Sequence, residues 1–153
     1  MAQAEIIIAD EALLPEAVEI YNEVFRPKQD LAYFKRFLLG HYNTLVLIAR
    51  VGERPVGMWV GYEDRPGLFR HWLSAVHPEF RRAGVGQQLM EAEQSWAREH
   101  GYDAIRGEAS NGQREWLQFA IAGGFDIIGV RYEGDRADTV IVLEKSLEIV
   151  GTA

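Results

Sequence analysis

The chain has 153 residues and a formal net charge of −7 at pH 7, with 48% hydrophobic and 25% charged residues. These values are typical of a single globular domain, expected to span residues 1–153, and they exclude a disordered or collagen-like chain. The chain has no cysteine, which excludes disulfides, thiolate nucleophiles and Cys-ligated zinc.

The charge and the apolar runs also limit the partners. A negative balance argues against a general nucleic-acid binder, which carries a basic face, and is compatible with a cationic small substrate. No apolar run approaches the ~20 residues needed to cross a bilayer. The segment Met1–Asp10 lacks the positive charges of a signal peptide. We therefore expect a cytoplasmic protein with no membrane or nucleic-acid partner.

The first forty residues predict one strand and two helices. Glu5–Ala9 is a short β-branched run, which favours a strand. Apolar residues recur at three- and four-residue steps over Leu14–Phe25, with Pro15 in the first turn, so this segment is predicted to be a helix. Pro27 ends that helix, and Asp30 is a predicted N-cap for a second one.

The middle of the chain changes from a strand pattern to a helix pattern. Three apolar runs separated by short turns predict antiparallel hairpin strands, namely Thr44–Arg50, Pro55–Tyr62 and Leu68–Val76. Helical spacing then predicts a helix over Val85–His100, which Gly101 is placed to end.

The last third predicts a strand, a helix and a final hairpin. The predicted elements are a strand at Ala104–Glu108, a helix around residues 116–122 closed by Gly123-Gly124, and strands at Asp126–Tyr132 and Thr139–Leu143. The order is therefore β-α-α-β-β-β-α-β-α-β-β. Its central strand–helix–strand step implies one parallel crossover in a mostly antiparallel sheet flanked by helices, an α/β (α+β) fold.

The segment from Val76 to Met90 is the one that predicts chemistry. It joins a strand to a helix through a loop that holds Gly84, Gly86, Arg81 and Arg82. The first turn of a helix has unpaired N–H groups and a partial positive charge, and glycines let a ligand approach the backbone closely. The pattern predicts a phosphate or pyrophosphate site. The alternative is an ordinary strand-to-helix turn with surface arginines.

Several coupled positions in this segment resemble a known motif. The pattern Val76-x-Pro78-x-x-Arg81-x-x-Gly84-x-Gly86-x-x-Leu89 resembles the acetyl-CoA-binding motif of the GNAT superfamily of N-acetyltransferases. Gly124-Phe125 resembles the Gly-Phe ending of that family's fourth helix, and the element order resembles the family's fold over nearly the whole chain. The resemblance implies acetyl-CoA as cosubstrate. No metal is expected, because His41 and His100 fall on predicted helices without a partner at ligand spacing.

The resemblance also implies a binding site for the cosubstrate. Loop amides would hold the pyrophosphate, the strand edge at Ser74 and Val76 would pair with the pantetheine arm, and the thioester would enter between this strand and the one at Ala104–Glu108. The backbone N–H of Val76 would face the developing oxyanion. The residues implied in cofactor binding are Ser74, Val76, Arg81, Arg82, Ala83, Gly84, Val85, Gly86, Gln87, Asn111 and Phe119.

One position departs from the family's pattern. The family often has a tyrosine four residues before the glycine of Gly-Phe, where it protonates the leaving thiolate, and this chain has Ala120 there. Tyr132, Tyr102 or water are the alternatives for that role.

The proton acceptor is expected near the ends of the central strands. His71, with an unperturbed pKa of roughly 6.5, suits a base near neutrality. Glu108 lies at the end of the predicted parallel strand and competes with His71 for this role. Glu63 and Asp64 could recognise a cationic amine or relay a proton. For each of these residues the alternative is an ordinary packing or surface role.

The main hypothesis is an N-acetyltransferase that moves an acetyl group directly to a primary amine of a small molecule or peptide. The absence of cysteine argues against an acyl-enzyme. The alternative is a non-catalytic acyl-CoA-binding sensor, which Ala120 favours, and a third hypothesis is a phosphate-ligand protein unrelated to acyl transfer. The C-terminal hairpin offers an edge for a homodimer.

Overall fold

A mixed sheet with helices on both faces is seen in the computed structural model, which describes residues 3–147. The strands are β1 (Glu5–Ile8), β2 (Tyr42–Val51), β3 (Arg54–Arg65), β4 (Leu68–Val76), β5 (Ala104–Ser110), β6 (Asp126–Arg131) and β7 (Val140–Ser146). The helices are α1 (Leu14–Val24), α2 (Leu31–Leu39), α3 (Val85–Glu99) and α4 (Arg114–Ala122). The predicted order of strands and helices is confirmed.

The order of strands in the sheet is β1-β2-β3-β4-β5-β7-β6. All neighbours are antiparallel except β4 and β5, which are parallel, as the sequence predicted. The β4–β5 pairing joins only Leu68–Arg70 to Ala104–Arg106. From His71 onward β4 is not paired with β5. We call the gap between residues 71–76 of β4 and residues 107–110 of β5 the splay.

A bulge in β4 decides which side chains point toward each face of the sheet. Val60 pairs with Leu73 and Gly61 with His71, so Trp72 is the extra residue on β4. Trp72 and Leu73 consequently both pack with the core beneath α1 and α2. His71 lies on the opposite face, against α3.

Each face of the sheet covers its own apolar core. Beneath α3 and α4 the core includes Val85, Leu89 and Ile105, each 0% exposed, and beneath α1 and α2 it includes Ala17 and Ile48. Full burial of such an aliphatic side chain stabilises the fold by about 1.5–3 kcal/mol.

Element ends differ from the predictions by a few residues. Helix α1 ends at Val24, and Phe25, which the helical spacing included, is in extended backbone with φ −110° and ψ 154°. Asp30 caps α2 as predicted, because its side chain accepts from the Tyr33 N–H. Within residues 3–147, no helix has the length and apolar character to cross a membrane.

Candidate active site

The loop before α3 leaves backbone donors without acceptors. Helix α3 begins after Gly84, which has φ +85° and provides no side-chain cap. Arg82 also has positive φ, at +61°. Among residues 3–147, no acceptor pairs with the N–H groups of Val85, Gly86 and Gln87. This first turn is therefore open to an anion.

Gly86 lies where the loop, β4 and α4 meet. A Cβ atom built on Gly86 would lie 3.5 Å from Cζ of Phe119 and 3.9 Å from Cγ2 of Val76. The loop, the end of β4 and α4 therefore meet at Gly86, which adds no side chain there. A glycine beside first-turn amides that have no acceptor among residues 3–147 fits the diphosphate of acetyl-CoA.

The edge of β4 at Val76 faces away from β3. The Val76 carbonyl accepts a hydrogen bond from Nε of Arg81 at 3.2 Å. The bond back to β3 comes from the next residue, because the His77 N–H donates to the Val56 carbonyl. In an extended strand the N–H and C=O of one residue point to the same edge. The Val76 N–H thus points toward the splay. The Arg81 side chain is already bound to the protein through its Nε.

His71 is the first residue of β4 beyond the paired segment, and it is 7% exposed. Its Nδ1 lies 3.3 Å from Oε2 of Glu93, an α3 residue that is 1% exposed. The ring centroids of Trp59 and Trp116 lie 4.6 and 5.4 Å from that of His71. The imidazole is therefore fixed by one carboxyl and two indole rings.

A small cavity of about 10 Å³ adjoins His71. Its lining residues are Trp59, His71, Met90, Glu93, Gly107, Trp116, Ala120, Phe125 and Leu143. Its volume is about that of one water-sized sphere. Ala120 thus lies beside the imidazole. The indole N–H of Trp59 is buried and has no acceptor among residues 3–147.

Glu108 is tied to two arginines on the other face of β5. Its carboxylate oxygens lie 2.5 Å from Nη2 of Arg70 and 3.0 Å from Nη2 of Arg131. Burial raises the pKa of Glu108, but the hydrogen bonds and charges of Arg70 and Arg131 outweigh burial, so this pKa is lowered. Because the carboxylate is held ionised with both oxygens bound, it is a weaker proton acceptor than the sequence suggested.

Two other residues considered for the site lie at the opposite end of the sheet. Glu63 pairs in register with Phe69, and its Oε1 accepts from the Tyr102 hydroxyl at 2.9 Å. Val76 is seven residue steps along β4 from Phe69, or about 23 Å at roughly 3.3 Å per residue. The fold therefore does not bring Glu63 or Tyr102 to the loop before α3.

Asn111 has a partner inside the protein. Its Nδ2 donates to the carbonyl of Arg136 at 3.0 Å, in the turn between β6 and β7. Tyr132 is 72% exposed, just beyond the end of β6. The structure does not bring either side chain into contact with the loop of residues 81–87.

An aromatic cluster borders the α1/α2 face of the splay. The Phe37 and Trp72 rings are stacked, with centroids 3.4 Å apart and an interplanar angle of 6°. Tyr62 packs edge-on to Phe37 at 5.6 Å. Trp72, which the sequence suggested only as a packing residue, is part of this cluster.

Glu93 is the site residue that sequence reasoning missed. It follows Leu89 and precedes Ala97 at four-residue steps, and both neighbours are 0% exposed. An acidic residue inside an otherwise apolar helical stripe was the available signal.

For metals, no group of three or more His, Cys, Asp or Glu residues suited to an ion occurs in the described part of the chain.

Comparisons with known proteins agree with this geometry. The model of the acetyltransferase (GNAT) family matches residues 11–115. A comparison with curated protein sequences finds no significant match.

Among solved structures, Ard1 from Thermoplasma volcanium has a TM-score of 0.82 at 23% identity, covering 95% of this chain and 99% of that one. The ribosomal-protein-S18-alanine N-acetyltransferase from Escherichia coli has a TM-score of 0.81 at 15% identity, covering 98% and 97%. A GNAT family acetyltransferase from Elizabethkingia anophelis, solved with acetyl-CoA bound, has a TM-score of 0.77 at 17% identity, covering 94% and 97%. At these identities the likeness is one of fold.

Proposed function

The chain belongs to the GNAT acetyltransferase family, and from that premise we propose that it transfers an acetyl group from acetyl-CoA directly to a primary amine of a small molecule or peptide. The proposed enzyme is one domain over residues 1–153 and acts in the cytoplasm. The observation that carries the proposal is the set of amides at the start of α3, beside Gly86, that have no acceptor in the described part of the chain.

The proposed cosubstrate site follows the loop and the edge of β4. The amides of residues 82–87 hold the diphosphate, and Arg82 and the remaining donors of Arg81 add positive charge. The pantetheine arm extends along the β4 edge at Ser74 and Val76, since its amides can pair like those of a strand. Phe119 packs beside the diphosphate groove. The proposed contact of Asn111 requires its side chain to leave Arg136.

The proposed chemistry needs an oxyanion donor and a proton acceptor. Bound acetyl-CoA supplies the thioester that the amine attacks. The Val76 N–H faces the splay and is the proposed donor to the thioester oxygen as negative charge builds there. His71 lies at the start of the splay and takes the proton from the amine through Nε2. Glu108 is the alternative acceptor, which its two arginines disfavour.

Isothermal titration calorimetry with acetyl-CoA tests the binding site. We expect Gly86→Glu to abolish binding, because the new carboxylate would enter the phosphate groove while its Cβ meets Phe119 only at ordinary contact distance. Ser95→Glu adds the same charge on the exposed face of α3 and serves as the control. Equal affinity in the wild type and Gly86→Glu would contradict the proposed site.

A thiol-release assay across polyamines, aminoglycosides, amino acids and peptide N-termini tests turnover. We expect His71→Gln to lower kcat at least tenfold and Glu108→Gln to lower it less, since positioned general bases contribute about 10²–10⁴-fold. Binding without thiol release on any amine would favour the acyl-CoA sensor, the function that Ala120 suggests. A larger loss in Glu108→Gln would assign the base to Glu108.

The homodimer predicted from the sequence is proposed to form through β6, which is last in the sheet order. Ile127 and Val130 on this strand are 55% and 63% exposed. Antiparallel pairing of two β6 strands about a two-fold axis would place Asp126 of one copy opposite Arg131 of the other. Light scattering should show a dimer, and Val130→Lys should convert it to a monomer. A monomeric wild type at 100 μM would contradict this pairing.

A further inference from the structure

Glu93 is a buried acidic residue that the proposed reaction, as described above, does not use. It lies in an inward-facing stripe of α3 between two fully buried apolar residues and is 1% exposed. Its hydrogen-bond partner in residues 3–147 is His71, with 3.3 Å between Oε2 and Nδ1. Burying a carboxyl group costs several kcal/mol unless it is paired. The pairing with His71 is the interaction that offsets this cost for Glu93.

The sheet is shaped to admit this pair. A Cβ atom on Gly61 would lie 3.0 Å from Oε2 of Glu93 and 2.4 Å from Cε2 of Phe69. The bulge at β4 places His71 directly opposite Gly61 in register. On the other side of His71, a Cβ atom built on Gly107 would lie 3.7 Å from Cβ of His71. Gly61 therefore leaves the room that the carboxyl group of Glu93 occupies.

The contact with Glu93 bears on which ring nitrogen of His71 carries the proton. A neutral imidazole that donates Nδ1–H to a carboxylate has an unprotonated Nε2. This Nε2 has no hydrogen-bond partner among residues 3–147. The elements packed on the ring contribute Trp59 from β3, Trp116 from α4 and Gly107 from β5, none of which titrates.

Lys145, a cation that reaches Gln94 next to Glu93 on α3, is engaged elsewhere. Nζ of Lys145 donates to Oε1 of Gln94 at 3.0 Å and to the carbonyl of Gly123 at 2.8 Å. Within residues 3–147, Glu93 is therefore the acidic side chain in contact with the imidazole.

We propose that Glu93 is a positioning residue that holds His71 so that Nε2 both accepts the proton of the acceptor amine and returns it to the departing thiolate, an inference that rests on the proposed function. The amine nitrogen bonds to the acetyl carbon, and the carbon–sulfur bond breaks with its electron pair moving to sulfur. The proton lost by nitrogen passes to Nε2 and then to sulfur, so His71 ends as it began. The Glu93 carboxylate stabilises the imidazolium in between.

This shuttle accounts for Ala120 in the place of a tyrosine. Ala120 and His71 line the same small cavity. The alanine therefore leaves the imidazole as the proton donor on this face of the splay.

Nitrogen NMR of the wild-type protein tests the positioning without any turnover. The His71 signal is identified among the four histidines as the one lost in His71→Gln. We expect the tautomer with Nδ1 protonated and Nε2 bare at a pH where the imidazole is neutral. A tautomer protonated at Nε2 would overturn the proposal, even if no Glu93 variant folds.

Kinetics of Glu93→Gln test the role of its charge. We expect kcat to fall at least tenfold while KM for acetyl-CoA stays within twofold, because the change acts on proton transfer and not on binding. Gln94→Ala is the matched control, since Gln94 is also buried on α3 but bonds to Lys145. Equal losses of kcat in both variants would overturn the proposal and leave Glu93 a packing residue.

A double-mutant cycle separates action through His71 from an independent effect. In the His71→Gln background, Glu93→Gln should change kcat by less than twofold; a further tenfold loss would overturn the proposal. A wild-type protein that binds no acetyl-CoA would overturn the proposed function and this role together. A protein that acetylates amines but has Nε2 protonated would overturn the role of Glu93 alone.

Discussion

His71 and Glu108 lie on opposite faces of the sheet at the splay, and their partners give them different chemistry. Glu108 binds two guanidinium groups, which lower its pKa and occupy both oxygens. Within the described part of the chain, His71 has one carboxyl partner and a second ring nitrogen without a partner. Two titratable groups whose surroundings differ in this way are suited to different roles, one to binding and structure and the other to proton transfer.

The ion pairs of Glu108 predict a pH-dependent stability. Because the pKa of Glu108 is lower in the folded than in the unfolded chain, its contribution is complete above the unfolded value of about 4.3 and is lost as pH falls through the folded pKa. Its side chain is only 26% exposed. We expect Glu108→Gln to lower the free energy of unfolding by about 1 kcal/mol at pH 7. Urea unfolding should show this difference shrinking below pH 4; a constant difference would contradict the assignment.

Gly61 predicts a steric requirement in β3. In Gly61→Ala, the new methyl group would lie 2.8 Å from the Arg70 carbonyl and 2.4 Å from Cε2 of Phe69. Because the Arg70 carbonyl belongs to the backbone of β4 and cannot move without distorting that strand, we expect the free energy of unfolding to fall by about 1–3 kcal/mol. Gly107→Ala is the control, since its nearest contact is 3.7 Å and we expect a loss below about 0.5 kcal/mol. Equal stability of both variants in urea unfolding would refute the packing described at Gly61.

At the scale of elements, the sequence was informative where structure depends on local pattern. The stripe of α3, the Asp30 cap of α2 and the antiparallel hairpins follow from spacing, capping and turn chemistry within a few residues. The bulge at Trp72 was not predicted, because it depends on how β3 and β4 pair. His71, just before that bulge, points toward α3, where it meets Glu93, 22 residues away in the chain.

The same limit applies to Glu108 and Asn111. Glu108 contacts Arg70, 38 residues away, because β4 and β5 lie side by side, and Arg131 reaches it from β6. Asn111 contacts Arg136 across the turn that follows β6. None of these contacts has a local signal, so sequence reasoning could name the residues and not their partners.

The N-cap of α2 gives a prediction at this scale. Oδ1 of Asp30 accepts from the Tyr33 N–H at 2.9 Å. We expect Asp30→Ala to lower the free energy of unfolding by about 1 kcal/mol, while Asp30→Asn changes it by less than half as much. Acetyl-CoA affinity, measured by calorimetry, should stay within twofold, since α2 lies on the face opposite α3. Equal stability of Asp30→Ala and the wild type would contradict the cap.

For the whole molecule, the splay is the place where the sheet is incomplete. Strands β1 to β4 form one antiparallel group and β5 to β7 another, and between them β4 and β5 share three paired positions. A strand-like ligand in the splay would extend this junction and contact both groups. Binding should therefore stabilise the fold as a unit, by mass action on the native state.

Coenzyme A and pantetheine distinguish the two halves of the proposed site. At a concentration 100 times its Kd, coenzyme A should stabilise the native state by about 2.7 kcal/mol, or about 5–10 °C in Tm for a chain of this size. Pantetheine lacks the diphosphate and cannot use the amides of Val85, Gly86 and Gln87. At the same concentration it should raise Tm by less than half as much. If pantetheine at that concentration matched coenzyme A, the loop before α3 would not be the diphosphate site, and the binding energy would have to come from the splay alone.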